Sequence, residues 1–172
     1  MVIWITGLSG SGKTTISREV YNSLKEDYPN TVLLDGDIIR EALNHSYGYT
    51  IEERRVGARQ IHGLCNMLDK EGMIVICATM SLFYEIHELN RNKFSNYIEV
   101  FLDVDMDELV KRDKKQLYSK ALCGTEDNVV GVTLDYDQPK TPHLHLTNNK
   151  VEERIKNTGL ILNSIKKLLK KN

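Results

Sequence analysis

The chain has 172 residues, which suits one domain with its own core and leaves no room for two of ordinary size. Hydrophobic residues make up 41% and charged residues 27%, which excludes an intrinsically disordered chain. The 23 basic and 24 acidic side chains give a net charge of −1, so no broad polyanion-binding surface and no nucleic-acid partner is expected.

Val2 to Ile5 form a short apolar run closing on a glycine-rich loop, the pattern of a buried strand. The loop feeds a helix in which Ile16, Val20, Leu24 and Tyr28 recur on one stripe until Pro29-Asn30 ends it. TVLLDGD predicts a second strand closing on Asp35 and Asp37, and IIREALNHS a short helix. Thr50 followed by Ile51-Glu52-Glu53 predicts a capped helix running to Lys70, with Ile61, Leu64, Cys65 and Leu68 on one face and Gly72 as its stop. MIVICAT is a third strand, 84–93 a helix, YIEVFLDV a fourth strand, and MDELVKRD opens another helix. Residues 112–143 are polar, weakly periodic and broken by Gly124, Gly131, Pro139 and Pro142, and are read as a mobile lid. HLHLT predicts a fifth strand, and VEERIKNTGLILNSIKKLLK an amphipathic helix whose basic end suits the helix dipole.

Short apolar strands alternating with helices predict an α/β fold, a five-stranded parallel sheet with helices on both faces, filling residues 1–172 as one domain. Cys65, Cys77 and Cys123 are scattered and odd in number, so reduced thiols and a cytoplasmic location are expected. MVIWI is too short for a signal peptide, and MIVICATM is too short to span a membrane.

The segment GLSGSGKT carries Gly7, Gly12, Lys13 and Thr14 at the spacing of a phosphate-binding P-loop, with a strand before it and a helix after. Glycines let backbone N–H groups turn inward around phosphate oxygens, and the new helix points its positive end at the same anion. Lys13 is placed to reach the β- and γ-phosphates of a nucleoside triphosphate, and the Thr14 hydroxyl to ligate Mg²⁺. A chance glycine-rich turn would not bring strand, loop and helix together in this order.

Asp35 and Asp37 sit at the carboxyl end of a strand, where open α/β sheets place their ligands. A carboxylate there can take a proton from an attacking hydroxyl or help hold hydrated Mg²⁺. Arg40 lies one helical turn further on, fit to grip an anionic acceptor. Arg112, Lys114, Lys115 and Lys120 could close over phosphates, although alone they read better as a charged helix face.

In order and spacing, GLSGSGKTT, LDGDxxR, RDxKxLYxKAxxG and VGVxxxYxxPxxPxL resemble the adenylylsulfate (APS) kinase family over nearly the whole chain. The resemblance implies a P-loop NTPase fold and a cytosolic homodimer that moves the γ-phosphoryl of ATP to the 3′-hydroxyl of adenosine 5′-phosphosulfate. It implies that Gly7, Ser9, Gly10, Ser11, Gly12, Lys13, Thr14 and Thr15 hold ATP and Mg²⁺, and that Arg112 and Lys115 belong to a lid over the nucleotides, with Lys120 beside them. Asp37 would face the acceptor hydroxyl as base, with Asp35 supporting the metal site; Arg40 and Arg54 would grip the acceptor's anionic end. Ser81 falls beside the acceptor, and Tyr49 matches the first of two rings that hold its base.

Four departures lie on the acceptor side. Ile38 and Gly57 each stand where the family has an asparagine, Met80-Ser81-Leu82 replaces Ile-Ser-Pro, and Val129 stands where the second ring belongs, leaving an apolar wall. APS remains the first expected acceptor. The alternative is a nucleotide with a smaller base, such as the cytidine diphosphoramidate used by related kinases of bacterial capsule pathways. A water-accepting NTPase is disfavoured because MIVICATM ends without a carboxylate, and a non-catalytic nucleotide-binding module because Lys13, Thr14, Asp35 and Asp37 are all present. The His143-x-His145 pair reads as surface and edge rather than a metal site, and His45, His62 and His87 have no evident partners in the sequence.

Overall fold

The computed structural model describes residues 1–113 and 116–170. Lys115, expected over the nucleotides, and Lys114 lie outside them. Five parallel strands form one sheet: β1 (Val2–Thr6), β2 (Thr31–Asp35), β3 (Ile74–Thr79), β4 (Tyr97–Asp103) and β5 (Leu144–Thr147), in the order β2-β3-β1-β4-β5. The helices are α1 (Lys13–Lys25), α2 (Gly36–Ala42), α3 (Ile51–Lys70), α4 (Tyr84–Lys93), α5 (Met106–Arg112), α6 (Leu117–Leu122) and α7 (Val151–Leu169).

Side chains alternate across a strand, and β1 shows how that builds two cores. Ile3 and Ile5 pack with Ile16, Val20, Leu24, Ile161 and Ile165 of α1 and α7. Val2 and Trp4 face the other way, onto Ala58, Ile61 and Cys65 of α3 and Ile86 of α4. Burying each such aliphatic side chain contributes roughly 1.5–3 kcal/mol. Strand β1 is fully buried at the centre of the sheet, so the loop that follows it starts from a fixed point.

Two expected elements shift. The short helix begins earlier, at Gly36, because the Asp35 side chain caps it by accepting from the Asp37 N–H at 3.0 Å. It stops at Ala42, before Asn44 and His45 take left-handed backbone at φ 51° and 52°. The segment 112–143 carries more structure than its weak periodicity implies. Tyr118, Ala121, Val129 and Val130 are buried there in a third core with Leu8, Leu82, Phe101 and Leu109. The α3 start matches expectation: Thr50 accepts from the Glu53 N–H, and Glu53 accepts in return from the Thr50 N–H. Among the described residues no helix is long and apolar enough to cross a membrane.

Candidate active site

A cleft of about 1310 Å³ opens at the carboxyl ends of the strands. On one side stands the loop between β1 and α1. Gly12 caps α1 with φ 95°, a conformation that only glycine adopts without strain, and a Cβ there would fall 2.5 Å from Asn148 Nδ2. Ser9, Gly10, Gly12, Lys13, Thr14 and Thr15 line the cleft, whereas Gly7 and Ser11 lie buried beneath the loop and hold its shape. Lys13 Nζ donates to the Leu8 carbonyl at 2.8 Å. The loop is clamped from outside by three side chains absent from the sequence-based expectation or given another role there. Asn148 Nδ2 donates to Ser11 O at 2.7 Å, and the Tyr118 hydroxyl donates to Ser9 O at 2.8 Å. Arg112 donates to Gly10 O at 3.4 Å and to Asn149 O at 2.7 Å while paired with Glu108.

Beside the loop sits Asp35 at the end of β2. Its Oδ2 accepts from the Thr14 hydroxyl at 2.7 Å, and its Oδ1 accepts from the Asp37 N–H at 3.0 Å. One carboxylate therefore ties the phosphate loop to the turn carrying Asp37, and both aspartates line the cleft. Ser81, just past β3, also lines it; its hydroxyl shares a hydrogen bond with Thr79 Oγ1 at 2.9 Å, and its carbonyl faces His87 Nε2 at 3.1 Å. Two histidines thus gain partners that the sequence did not reveal, since His62 Nδ1 also meets Asn90 Oδ1 at 2.7 Å. His145 lies on the edge strand β5 and His143 just before it, against the Asp103 carboxylate and the Glu99 N–H respectively.

The third wall brings Arg40, Tyr47, Tyr49 and Arg54 together. Arg40 donates to the carbonyls of Tyr47 and Gly48 at 2.6 and 3.0 Å; Arg54 donates to those of Tyr49 and Asn128 at 2.8 and 2.9 Å. Both guanidiniums lie over the Tyr49 ring, at 4.5 and 5.3 Å from its centroid. Burial, then the neighbouring Arg40, pushes the pKa of Arg54 below the ordinary arginine value. Carbonyls and an aromatic face hold two like charges together here, and an anionic ligand would relieve their repulsion.

Tyr47 was missed by sequence reasoning. Its ring is 6% exposed, lies 4.2 Å from the Arg40 guanidinium and packs on Gly57 of α3. Burial pushes its phenol pKa upward, so it stays neutral near pH 7. Val129, expected as an apolar wall of the acceptor site, points instead into the lid core at 2% exposed; Val130 lines the cleft. The turn that closes on Gly131 at φ 90°, with the Val129 N–H donating to Thr133 Oγ1, turns Val129 inward. Lys120 and Tyr136 face the cleft from the lid.

Residues 1–147 match the sequence profile of the adenylylsulphate kinase family. Over 157 residues, 90% of this chain and 91% of its relative, the sequence is 44% identical to cytidine diphosphoramidate kinase of Campylobacter jejuni. It is 36% identical to adenylyl-sulfate kinase of Halothermothrix orenii over 89% of this chain and 84% of that one. It spans 23% of the length of bifunctional enzymes that it also matches. Among solved structures, the Mycobacterium tuberculosis APS kinase in complex with AMPPNP and APS superposes with a TM-score of 0.86 at 28% identity, covering 96% of each chain. With residues 1–147 matched by that family's profile and named kinases 36–44% identical over most of its length, this chain belongs to the adenylylsulphate kinase family.

Proposed function

We propose that this kinase transfers the γ-phosphoryl of ATP to the 3′-hydroxyl of a nucleotide with an anionic 5′ end. The observation that carries this reading is Asp35, which bonds Thr14 of the phosphate loop and the Asp37 amide at once, so that donor and acceptor halves share one anchor. The loop amides of Ser9 to Thr15 and Lys13 hold the triphosphate and stabilise charge on the transferred group. The acceptor's 3′-oxygen forms a bond to the γ-phosphorus while the bond from that phosphorus to the β–γ bridging oxygen breaks. Its electron pair leaves with ADP, and the hydroxyl proton passes to the Asp37 carboxylate. Arg40 and Arg54 bind the acceptor's anionic end, with Tyr49 and Ser81 alongside. Arg112 and Lys120, within a lid spanning 112–143, close over the nucleotides and exclude water.

The Thr14 hydroxyl and the Asp35 carboxylate are the sparse oxygen set that suits Mg²⁺ when phosphate oxygens and water complete its ligands. Bound there, Mg²⁺ would neutralise charge on the phosphates. Residues 1–172 act as one kinase unit in the cytoplasm, assembled as a homodimer; light scattering tests the last point, expecting twice the 19.7 kDa of one chain.

Two acceptors satisfy this chemistry. APS is the one suggested by the family and by the Mycobacterium tuberculosis complex. Cytidine diphosphoramidate is favoured by a specific observation: the relative of that name is 44% identical, against 36% for the Halothermothrix orenii kinase. Of the altered residues, Gly57 lines the cleft beside Tyr47 and the paired arginines. ADP release with ATP and Mg²⁺ is measured with each acceptor and without one. Acceptor-dependent release supports the reading; release that ignores the acceptor overturns it.

A further inference from the structure

Helix α3 carries two interior glycines, Gly57 and Gly63. Each weakens the helix relative to alanine. Around Gly63 an added Cβ would meet nothing within 4 Å. Around Gly57 it would lie 2.6 Å from Tyr47 Cδ2 and Cζ and closer still to Cε2. Gly57 is therefore the seat of a ring. The Tyr47 phenol lies in the space that any side chain at 57 would occupy, with the Arg40 guanidinium 4.2 Å from its centroid.

This ring belongs to the cleft wall. Tyr47, Gly57, Ala58 and Ile61 line the α3 side, next to Tyr49 and the paired arginines. Those arginines mark where the acceptor's anionic end would sit, so the adjoining flat, apolar wall is the place for its base. The Arg40 guanidinium beside the ring is itself held by the Tyr47 and Gly48 carbonyls. A purine carries one fused ring more than a pyrimidine, and the Tyr47 phenol is a ring of comparable size fixed in that wall.

We infer that Tyr47, positioned by Gly57, sets the depth of the acceptor-base pocket and selects a single-ring base over a purine. The inference rests on the proposed kinase function and deepens it, because it names the residue that would choose among nucleotide acceptors. Pocket discrimination by the bulk of a few atoms is worth about 10- to 200-fold.

The test uses cytidine and adenosine 5′-diphosphoramidate, which differ only in the base, with APS as a further purine acceptor. Wild-type enzyme is expected to favour the cytidine compound by at least about tenfold in kcat/KM. Tyr47→Ala should lose at least about tenfold of that preference, with the KM for ATP changed less than about threefold. Gly57→Ala, which pushes the ring from its seat, should lower kcat/KM for the cytidine acceptor, whereas Gly63→Ala should leave the preference intact. Where Tyr47→Ala fails to fold, Tyr47→Leu carries the same comparison. A wild-type enzyme that prefers either purine compound overturns the inference and leaves the kinase reading standing, as does a Tyr47 variant that slows both bases equally. Absence of acceptor-dependent ADP release with all three compounds would sink the kinase reading first and the inference with it.

Discussion

Asn148 offers a direct test of how the phosphate loop is held. It is 4% exposed at the start of the β5–α7 turn, and its amide donates to the Ser11 carbonyl at 2.7 Å. Asn148→Ala deletes that donor and leaves a buried carbonyl unpaired. Asn157 is less affected, since its Nδ2 keeps the Thr147 carbonyl at 2.7 Å and loses only a 3.4 Å contact. One orphaned neutral acceptor costs about 1–3 kcal/mol, and at this chain length each kcal/mol moves the melting temperature by about 2–4 °C. The expected fall is about 2–12 °C in a thermal melt followed by circular dichroism. Because the loosened carbonyl belongs to the loop, the dissociation constant for ATP should rise as well, by about three- to tenfold. Asn148→Asp is the sharper variant. It sets a carboxylate oxygen against the Ser11 carbonyl, acceptor facing acceptor, and should melt below Asn148→Ala. An alanine variant that melts within about 1 °C of wild type, or an aspartate variant more stable than the alanine one, would refute the clamp.

Lys13→Ala should abolish phosphoryl transfer in the coupled ADP assay while leaving the fold intact by circular dichroism. Asp37→Asn should cut kcat by about 10²- to 10⁴-fold with ATP affinity nearly unchanged in calorimetry, and an unchanged kcat removes Asp37 from proton transfer. Burial holds the pKa of His87 below its ordinary 6.5, with Glu99 and the Ser81 carbonyl opposing that shift and Arg91 adding to it. As pH falls, the unfolded chain therefore takes up this proton first; stability is full above about pH 6.5 and is lost as pH drops through the lower folded value. His87→Gln keeps an N–H for the Ser81 carbonyl and should flatten that part of the melting-temperature profile. Gly63→Ala should stabilise by roughly 0.5–1 kcal/mol, read as a small rise in melting temperature.

The sheet was legible because β1 to β4 are short, mainly apolar runs and β5 alternates in HLHLT, and because a P-loop fixes which strand comes first. Thr50 announced α3 through a reciprocal cap that depends only on residues three apart. The lid hid its order, since Tyr118, Ala121, Val129 and Val130 pack on residues as distant as Leu8 and Phe101, and such contacts leave no period in the sequence. Asn148 was invisible for the same reason. It reaches Ser11 across 137 positions, and only its place after a parallel strand, beside the β1 loop, could have drawn attention to TNNK. The surroundings of Val129 were not legible, because Val129 and Val130 are both buried in the lid core and only Val130 also reaches the cleft, a distinction that leaves no period in the sequence.

The two halves of the cleft differ in what holds them. Around the phosphate loop the clamping side chains Asn148, Tyr118 and Arg112 bond to backbone carbonyls, and a loop of this kind would offer its ligand backbone N–H groups. A ligand gripped by backbone constrains glycine spacing, which is why GLSGSGKT could be read directly. The acceptor wall is built from side chains, and side chains can trade places. Gly57 looked in the sequence like a lost binding group. In the fold its missing Cβ is the room that Tyr47 fills, and the helix accepts the cost of a glycine to seat that ring beside Arg40. The substitution at 57 thus has meaning only together with residue 47, ten positions away on another segment. If Tyr47 sets the pocket, specificity on this side of the cleft belongs to the pair, and single changes at either position should disturb acceptor choice while leaving the grip on ATP nearly untouched.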